Sequence, residues 1–179
     1  LYVEYHRGTL TMMHDIKRNN RRCEFALHNM DLANVLTGLE NKEKTDELYK
    51  CLLMNQFHDI LPGTSIEAVN VLARQEVTQT IREAEEITAA ALQTLAQPEE
   101  NALTVFNPAP YPTNHFRLEG SHAFADAQSQ TYTDVTGVPA TLVATQSIPA
   151  YESLVLHEAA PSAAPSPFRL RENTLETPF

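Results

Sequence analysis

The sequence is poor in basic residues, with 13 Lys and Arg against 23 Asp and Glu and a formal net charge of −10. That balance argues against a nucleic-acid interface, because phosphate binding needs Lys and Arg clustered on one face. The one basic cluster, Lys17, Arg18, Arg21 and Arg22, lies inside a helical pattern and reads as a solvated helix face. There is no run of about 18 apolar residues and no charged-then-apolar leader, so the sequence offers neither a membrane span nor a signal peptide. Cysteine is scarce too. Cys23 and Cys51 lack CxxC spacing and sit among helix formers, which reads as two buried thiols in a reducing cytoplasm, with a disulfide as the alternative. A Gly-rich phosphate loop, a GxSxG elbow and a Cys nucleophile arrangement are all missing. What is left, 179 residues of which 42% are hydrophobic and 20% charged, suits a globular protein of one or two domains.

The pattern along the chain changes twice. Residues 1 to 9 alternate and then reach Gly8, as a short extended segment entering a loop does. From about Thr11 to Leu36, Ile16, Cys23, Leu27, Met30 and Asn34 recur at helical steps, with Gly38 as a C-cap. A second helix is expected over Asp46 to Phe57, with Leu48, Cys51, Leu52 and Asn55 on one face. Pro62 and Gly63 end it. Thr64 or Ser65 then caps a third helix running to about Ala96, whose apolar stripe is Ile66, Val69, Ala73, Val77, Ile81, Ala84, Ile87 or Thr88, Ala91 and Leu95. Arg74, Glu76, Arg82, Glu83 and Glu85 are expected to face water. Short connections between three such helices predict an antiparallel three-helix bundle.

After the turn-rich stretch 97 to 101 the helical period disappears and strand candidates follow at 103–106, 115–118, 130–135, 141–145 and 151–158. The fold class is therefore α+β in a multidomain fragment: an antiparallel three-helix bundle followed by a partial β-sandwich. Residues 159 to 167 read as a Pro, Ala and Ser linker, and 168 to 179 as the start of something further. Both ends, at Leu1 and Phe179, look cut, so an internal fragment is expected.

Two places could carry chemistry. The segment Asn55 to Thr64 (NQFHDILPGT) puts His58 and Asp59 at a helix end before a Pro-Gly turn, where polar side chains project into a cleft. A neutral imidazole there is a candidate zinc ligand, often oriented by a carboxylate; a capping or solvated pair is the bland alternative. A full set of three ligands cannot be assembled from the residues present. His14, Asp15 and Ile16 repeat the His-Asp-Ile of 58 to 60 without the turn and are taken as coincidence. The second place is Tyr5, His6 and Arg7 ahead of Gly8, an aromatic, an imidazole and a guanidinium that can stack on and hydrogen-bond a polyhydroxylated ligand, or simply form a strand-to-loop exit. His28 reads as a helix-face residue, and His115, His122 and His157 as surface residues.

At these motifs the chain resembles α-mannosidases of glycoside hydrolase family 38, especially the cytosolic and bacterial branch. The likeness rests on Glu4-Tyr5-His6-Arg7-Gly8-Thr9, the basic stretch 16 to 22 (IKRNNRR), residues 55 to 66 (NQFHDILPGTSI) and residues 103 to 110 (LTVFNPAP), all in the family's order. It implies residues 1–10 as the tail of an N-terminal catalytic domain, 11–97 as a three-helix middle domain, 102–158 as a β-sandwich domain and 159–179 as a linker into a further β-domain. It also implies a retaining, zinc-dependent hydrolase acting on a mannose-containing oligosaccharide or glycoside in the cytoplasm, without nucleic-acid or membrane partners and with a homo-oligomer of the full-length protein left open. His58 matches one Zn2+ ligand and Asp59 a residue that hydrogen-bonds the sugar, while Tyr5, His6 and Arg7 fall near the substrate cleft. The nucleophile and the other zinc ligands have no counterpart here, so no catalytic residue is assigned and the fragment alone is expected to be inactive. The rival reading is a non-catalytic helical and β module that binds a protein or glycan partner, in which His58 and Asp59 are merely a helix end.

Overall fold

A computed structural model describes residues 8–39, 41–96, 99–160 and 169–176. The chain divides into two units, Leu1–Gln97 and Pro98–Phe179.

The first unit holds α1 (His14–Thr37), α2 (Lys42–Asn55) and α3 (Glu67–Leu95). Its core gathers Cys23, Ala26, Leu27 and Met30 from α1, Leu48 and Leu52 from α2, and Val77, Ile81 and Ala84 from α3. Leu27 and Met30 are wholly excluded from water, and burying each side chain is worth about 1.5–3 kcal/mol. Small residues, Ala26 and Ala33 on α1 and Ala73, Ala84 and Ala91 on α3, are buried along the two long helices and let their backbones approach closely. α2, short and reversed in direction, covers the remaining side of the pair. Its Tyr49 hydroxyl donates to Asp31 Oδ2 at 2.5 Å, and burial pushes that phenol up to about 12.

Several boundaries differ from the sequence expectation, each for a local reason. α1 starts at His14, not Thr11, because the amides of Thr11 and Met12 both donate to Gly8 O and Met13 adopts a left-handed φ of 48°. α2 starts at Lys42, four residues before Asp46, because the Asn41 side chain accepts from the Lys44 amide as an N-cap. It stops at Asn55, so Phe57, His58 and Asp59 lie beyond the helix. The cap of α3 is Ile66, with no side-chain cap: the Thr64 hydroxyl turns back to Asp59, and the Ser65 hydroxyl donates to Asn70 Oδ1 at 2.6 Å. The ends of the expected stripe, Ile66 and Leu95, are exposed. Glu83 is tied to Lys44 and Glu76 to Asn55 rather than standing free in water. Gly38 caps α1 as expected, its amide donating to Asn34 O at 2.8 Å. Cys23 and Cys51 are free thiols, the first buried and the second half-buried.

Among the described residues of the second unit the strand pairs are antiparallel. β1 (Ala102–Phe106) pairs with β5 (Ser153–His157), and β2 (Thr113–Glu119) and β3 (Gln128–Thr133) flank the long β4 (Pro139–Ile148). Phe124, Val143 and Leu156 form a buried cluster against Leu103, Val105, Phe116, Leu118 and Leu154, so both sheets contribute to one apolar core. β6 (Arg169–Arg171) and β7 (Thr174–Glu176) pair with each other as a hairpin. Asn107 joins the two main sheets' connections. Its carboxamide donates to Tyr111 O, Ile148 O and Pro149 O at 2.9, 3.1 and 3.0 Å and accepts from the Ala109 amide.

Candidate functional site

The turn between α2 and α3 is built from the end of α2 outwards. Asn55, 3% exposed, faces inward and donates to Cys51 O and Glu76 Oε2. Gln56 follows as C-cap, its amide donating back to Leu52 and Leu53 carbonyls and its side chain to Glu24 Oε1 at 3.1 Å. Beyond it the backbone closes on itself: Ile60 and Leu61 amides donate to Phe57 O, Gly63 to Ile60 O, and Thr64 and Ser65 to Asp59 O. His58 and Asp59 therefore ride on a closed turn with their side chains outward, 77% and 56% exposed. His58 Nε2 lies 3.5 Å from Asp59 Oδ2, while the Thr64 hydroxyl donates to Asp59 Oδ1 at 3.3 Å. The Phe57 and His58 rings are 4.1 Å apart between centroids and tilted by 42°. Leu53, Met54 and Phe57 are exposed beside them, an apolar surface next to the polar pair.

The turn is anchored to α1 by a residue the sequence had placed on a solvated face. Lys17 Nζ donates to Leu61 O and Pro62 O at 3.1 Å each and to Met12 O at 2.6 Å. Its ammonium is held below the ordinary lysine range, chiefly by withdrawal from water and against the pull of Asp15. No periodicity marks this role, since a lysine near a helix start is ordinarily solvated. Alongside it, Asp15 pairs with Arg74 of α3, a bond that holds the carboxyl below its usual range and raises the guanidinium. Arg74 Nη2 also reaches Met13 Sδ at 3.3 Å. The His-Asp-Ile repeat at 14 to 16 thus does a different job from that at 58 to 60.

Among the described residues, no three His, Cys, Asp or Glu side chains converge as a metal site. A catalytic zinc takes three protein ligands and an open position. The donors here fit one imidazole contribution with a carboxylate beside it, not a whole site. Tyr5, His6 and Arg7 lie outside the described residues; the turn Gly8 to Met13 that follows them is the one Lys17 ties to Leu61 and Pro62. A groove of about 500 Å³ lies at the other end of the bundle, lined by Asn34, Lys44, Glu83, Ile87 and Ala91 among others, and does not include His58. In the β unit, His157 stands between two carboxylates, Asp126 Oδ2 at 2.9 Å from Nδ1 and Glu99 Oε1 at 3.2 Å from Nε2.

The family model described as the alpha mannosidase middle domain matches residues 4–95, which takes in the three helices and both motifs. The chain belongs to the glycoside hydrolase family 38 α-mannosidases. Relatives of this chain include human Alpha-mannosidase 2C1, 36% identical over 75 residues, and Alpha-mannosidase G of Dictyostelium discoideum, 39% identical over 71 residues. Those matches cover 38% and 37% of this chain but 7% and 6% of the relatives, so the similarity spans less than a tenth of their length. The crystal structure of a protein in the glycosyl hydrolase family 38 from Enterococcus faecalis superposes with a TM-score of 0.57 at 13% identity, covering 92% of this chain and 27% of that one. This likeness extends to the fold of the three helices followed by antiparallel sheets.

Proposed function

We propose that the chain is part of a zinc-dependent retaining α-mannosidase that removes terminal α-mannosyl residues through a glycosyl-enzyme intermediate. In this reading His58 supplies one zinc ligand, Asp59 hydrogen-bonds a sugar hydroxyl, and Tyr5, His6 and Arg7 line the same cleft. The nucleophile, the acid and the remaining ligands come from parts of the protein outside this sequence, and the 179-residue chain alone has no turnover. Zinc would engage sugar hydroxyls and stabilise developing charge there. The substrate is a mannose-containing oligosaccharide or glycoside, and the two free thiols suit a cytoplasmic setting.

The observation that carries the proposal is the geometry of the turn. An imidazole and a carboxylate stand exposed and adjacent on a loop closed by its own backbone hydrogen bonds, open to contact from outside the bundle. The carboxylate's free oxygen sits beside the ring and its other oxygen is steadied by Thr64. The test is made on the full-length protein: zinc content and hydrolysis of a chromogenic α-mannoside, for wild type and His58→Ala. Loss of both supports the ligand role. Full zinc with undiminished turnover in the variant would reduce the turn to a structural helix end and leave this chain a structural module of the enzyme.

A further inference from the structure

We propose that Lys17 is a positioning residue, an ammonium that fixes the His58–Asp59 turn against the start of α1 and so sets the direction in which the His58 imidazole projects. An ammonium has three donors and no acceptor. Here the three contacts go to three backbone carbonyls on two segments far apart in sequence: Met12 O before α1, and Leu61 O and Pro62 O after α2. Those two carbonyls of the second segment follow Asp59 by two and three residues, inside the loop whose other backbone bonds close on Phe57, Asp59 and Ile60. The loop is internally stiff, so holding Leu61 and Pro62 orients the whole turn, His58 included.

Two further contacts act on the same pair of segments. Gly63 lies against Met13, and Arg74 of α3 reaches both Asp15 and Met13 Sδ. Lys17 is the member of this group that touches the turn's carbonyls directly. Because a ligand displaced by about 1 Å can cost on the order of a hundredfold in function, the effect should reach the metal. That consequence, unlike the clamp itself, rests on His58 being a zinc ligand.

The test uses the full-length protein with four variants: Lys17→Met, which keeps the aliphatic stem, Lys17→Arg, which keeps charge and donors, His58→Ala, and the core variant Leu48→Ala as a control for general destabilisation. Zinc affinity is read by competition with a chromogenic chelator, and loop rigidity by hydrogen exchange at the amides of Ile60, Leu61, Gly63, Thr64 and Ser65. Lys17→Met is expected to weaken zinc about tenfold and to speed exchange at those amides, with Lys17→Arg recovering part of both and Leu48→Ala lowering the melting temperature without either change. Unchanged exchange at those amides in Lys17→Met would overturn the clamp, as would equal loosening in Leu48→Ala. If His58→Ala loses zinc but Lys17→Met keeps wild-type affinity, positioning is overturned while the ligand role stands. If Lys17→Met loosens the turn and neither it nor His58→Ala affects zinc, the clamp stands and the metal reading falls. Should Lys17→Met not fold, Lys17→Gln, which retains two donors, is read by the same criteria.

Discussion

A Cβ placed on Gly63 would come within 2.5 Å of Met13 Cγ and 2.7 Å of Met13 Cβ, with Gly63 at φ +83°. Two independent penalties therefore meet at one residue of the Pro-Gly turn. The left-handed backbone costs an L residue about 1–2 kcal/mol, and the clash involves atoms close to the Met13 backbone that cannot swing aside. Gly63→Ala is expected to destabilise the bundle by roughly 2–4 kcal/mol, measured by urea denaturation followed by helical circular dichroism. A midpoint equal to wild type would mean that the turn does not press on Met13.

Asn107 in the β unit is the second such knot. It is 3% exposed, and every polar atom of its carboxamide is used. Asn107→Ala would leave the carbonyls of Ile148 and Pro149 without that donor and free the Ala109 amide, at a cost of about 2–4 kcal/mol for groups orphaned in a buried place. Asn107→Asp is expected to do worse, since a carboxylate would face three carbonyl oxygens. Thermal unfolding of the variants checks the order, and an Asp variant as stable as the Ala variant would contradict it.

The helices were legible because the apolar spacing states which face is buried: Cys23, Leu27, Met30, Val77, Ile81 and Ala84 are core residues by period alone. The element ends were less so, since they depend on single side chains whose choice of partner is three-dimensional. Asn41 caps α2 where no period begins, and Thr64 binds Asp59 although its spacing suited a cap of α3. At the site, His58 and Asp59 were named from the motif they share with the family, and the structure places both exposed on the turn. Lys17 could not, because its three acceptors are backbone carbonyls, which leave no mark in side-chain pattern, and two of them are more than forty residues away. Asn107 did carry a signal in its Asn-Pro turn, whose side chain bonds the backbone two residues on. The bonds to Ile148 and Pro149 lay beyond that local rule.

The two thiols should react at different rates. Cys23 is fully buried and burial pushes its thiol up to about 11, so almost no thiolate is present near neutrality. Cys51 is half-buried. Alkylation with iodoacetamide at pH 8, quantified by peptide mass spectrometry, is expected to label Cys51 at least tenfold faster than Cys23 in the folded chain, and both alike in denaturant. Equal native rates would show that the bundle core opens around Cys23 or packs differently from the arrangement described.

His157 gives the β unit a pH dependence of defined sign. Its hydrogen bond to Asp126 is the main cause that raises its pKa above 6.5, with the bond to Glu99 next, and the same contact lowers Asp126. Both ring nitrogens face carboxylates, so both bonds need the doubly protonated ring. A pKa raised in the folded state contributes stability that is fully present below the unfolded value and is lost as pH rises through the folded one. Wild type should therefore melt above His157→Gln at pH 5.5, with the gap closing by about pH 8.5 as the imidazole becomes neutral. The ring proton resonance of His157 should titrate above pH 6.5 and move down in Asp126→Asn. A gap that persists unchanged at high pH would mean that the residue acts through packing and not through its charge.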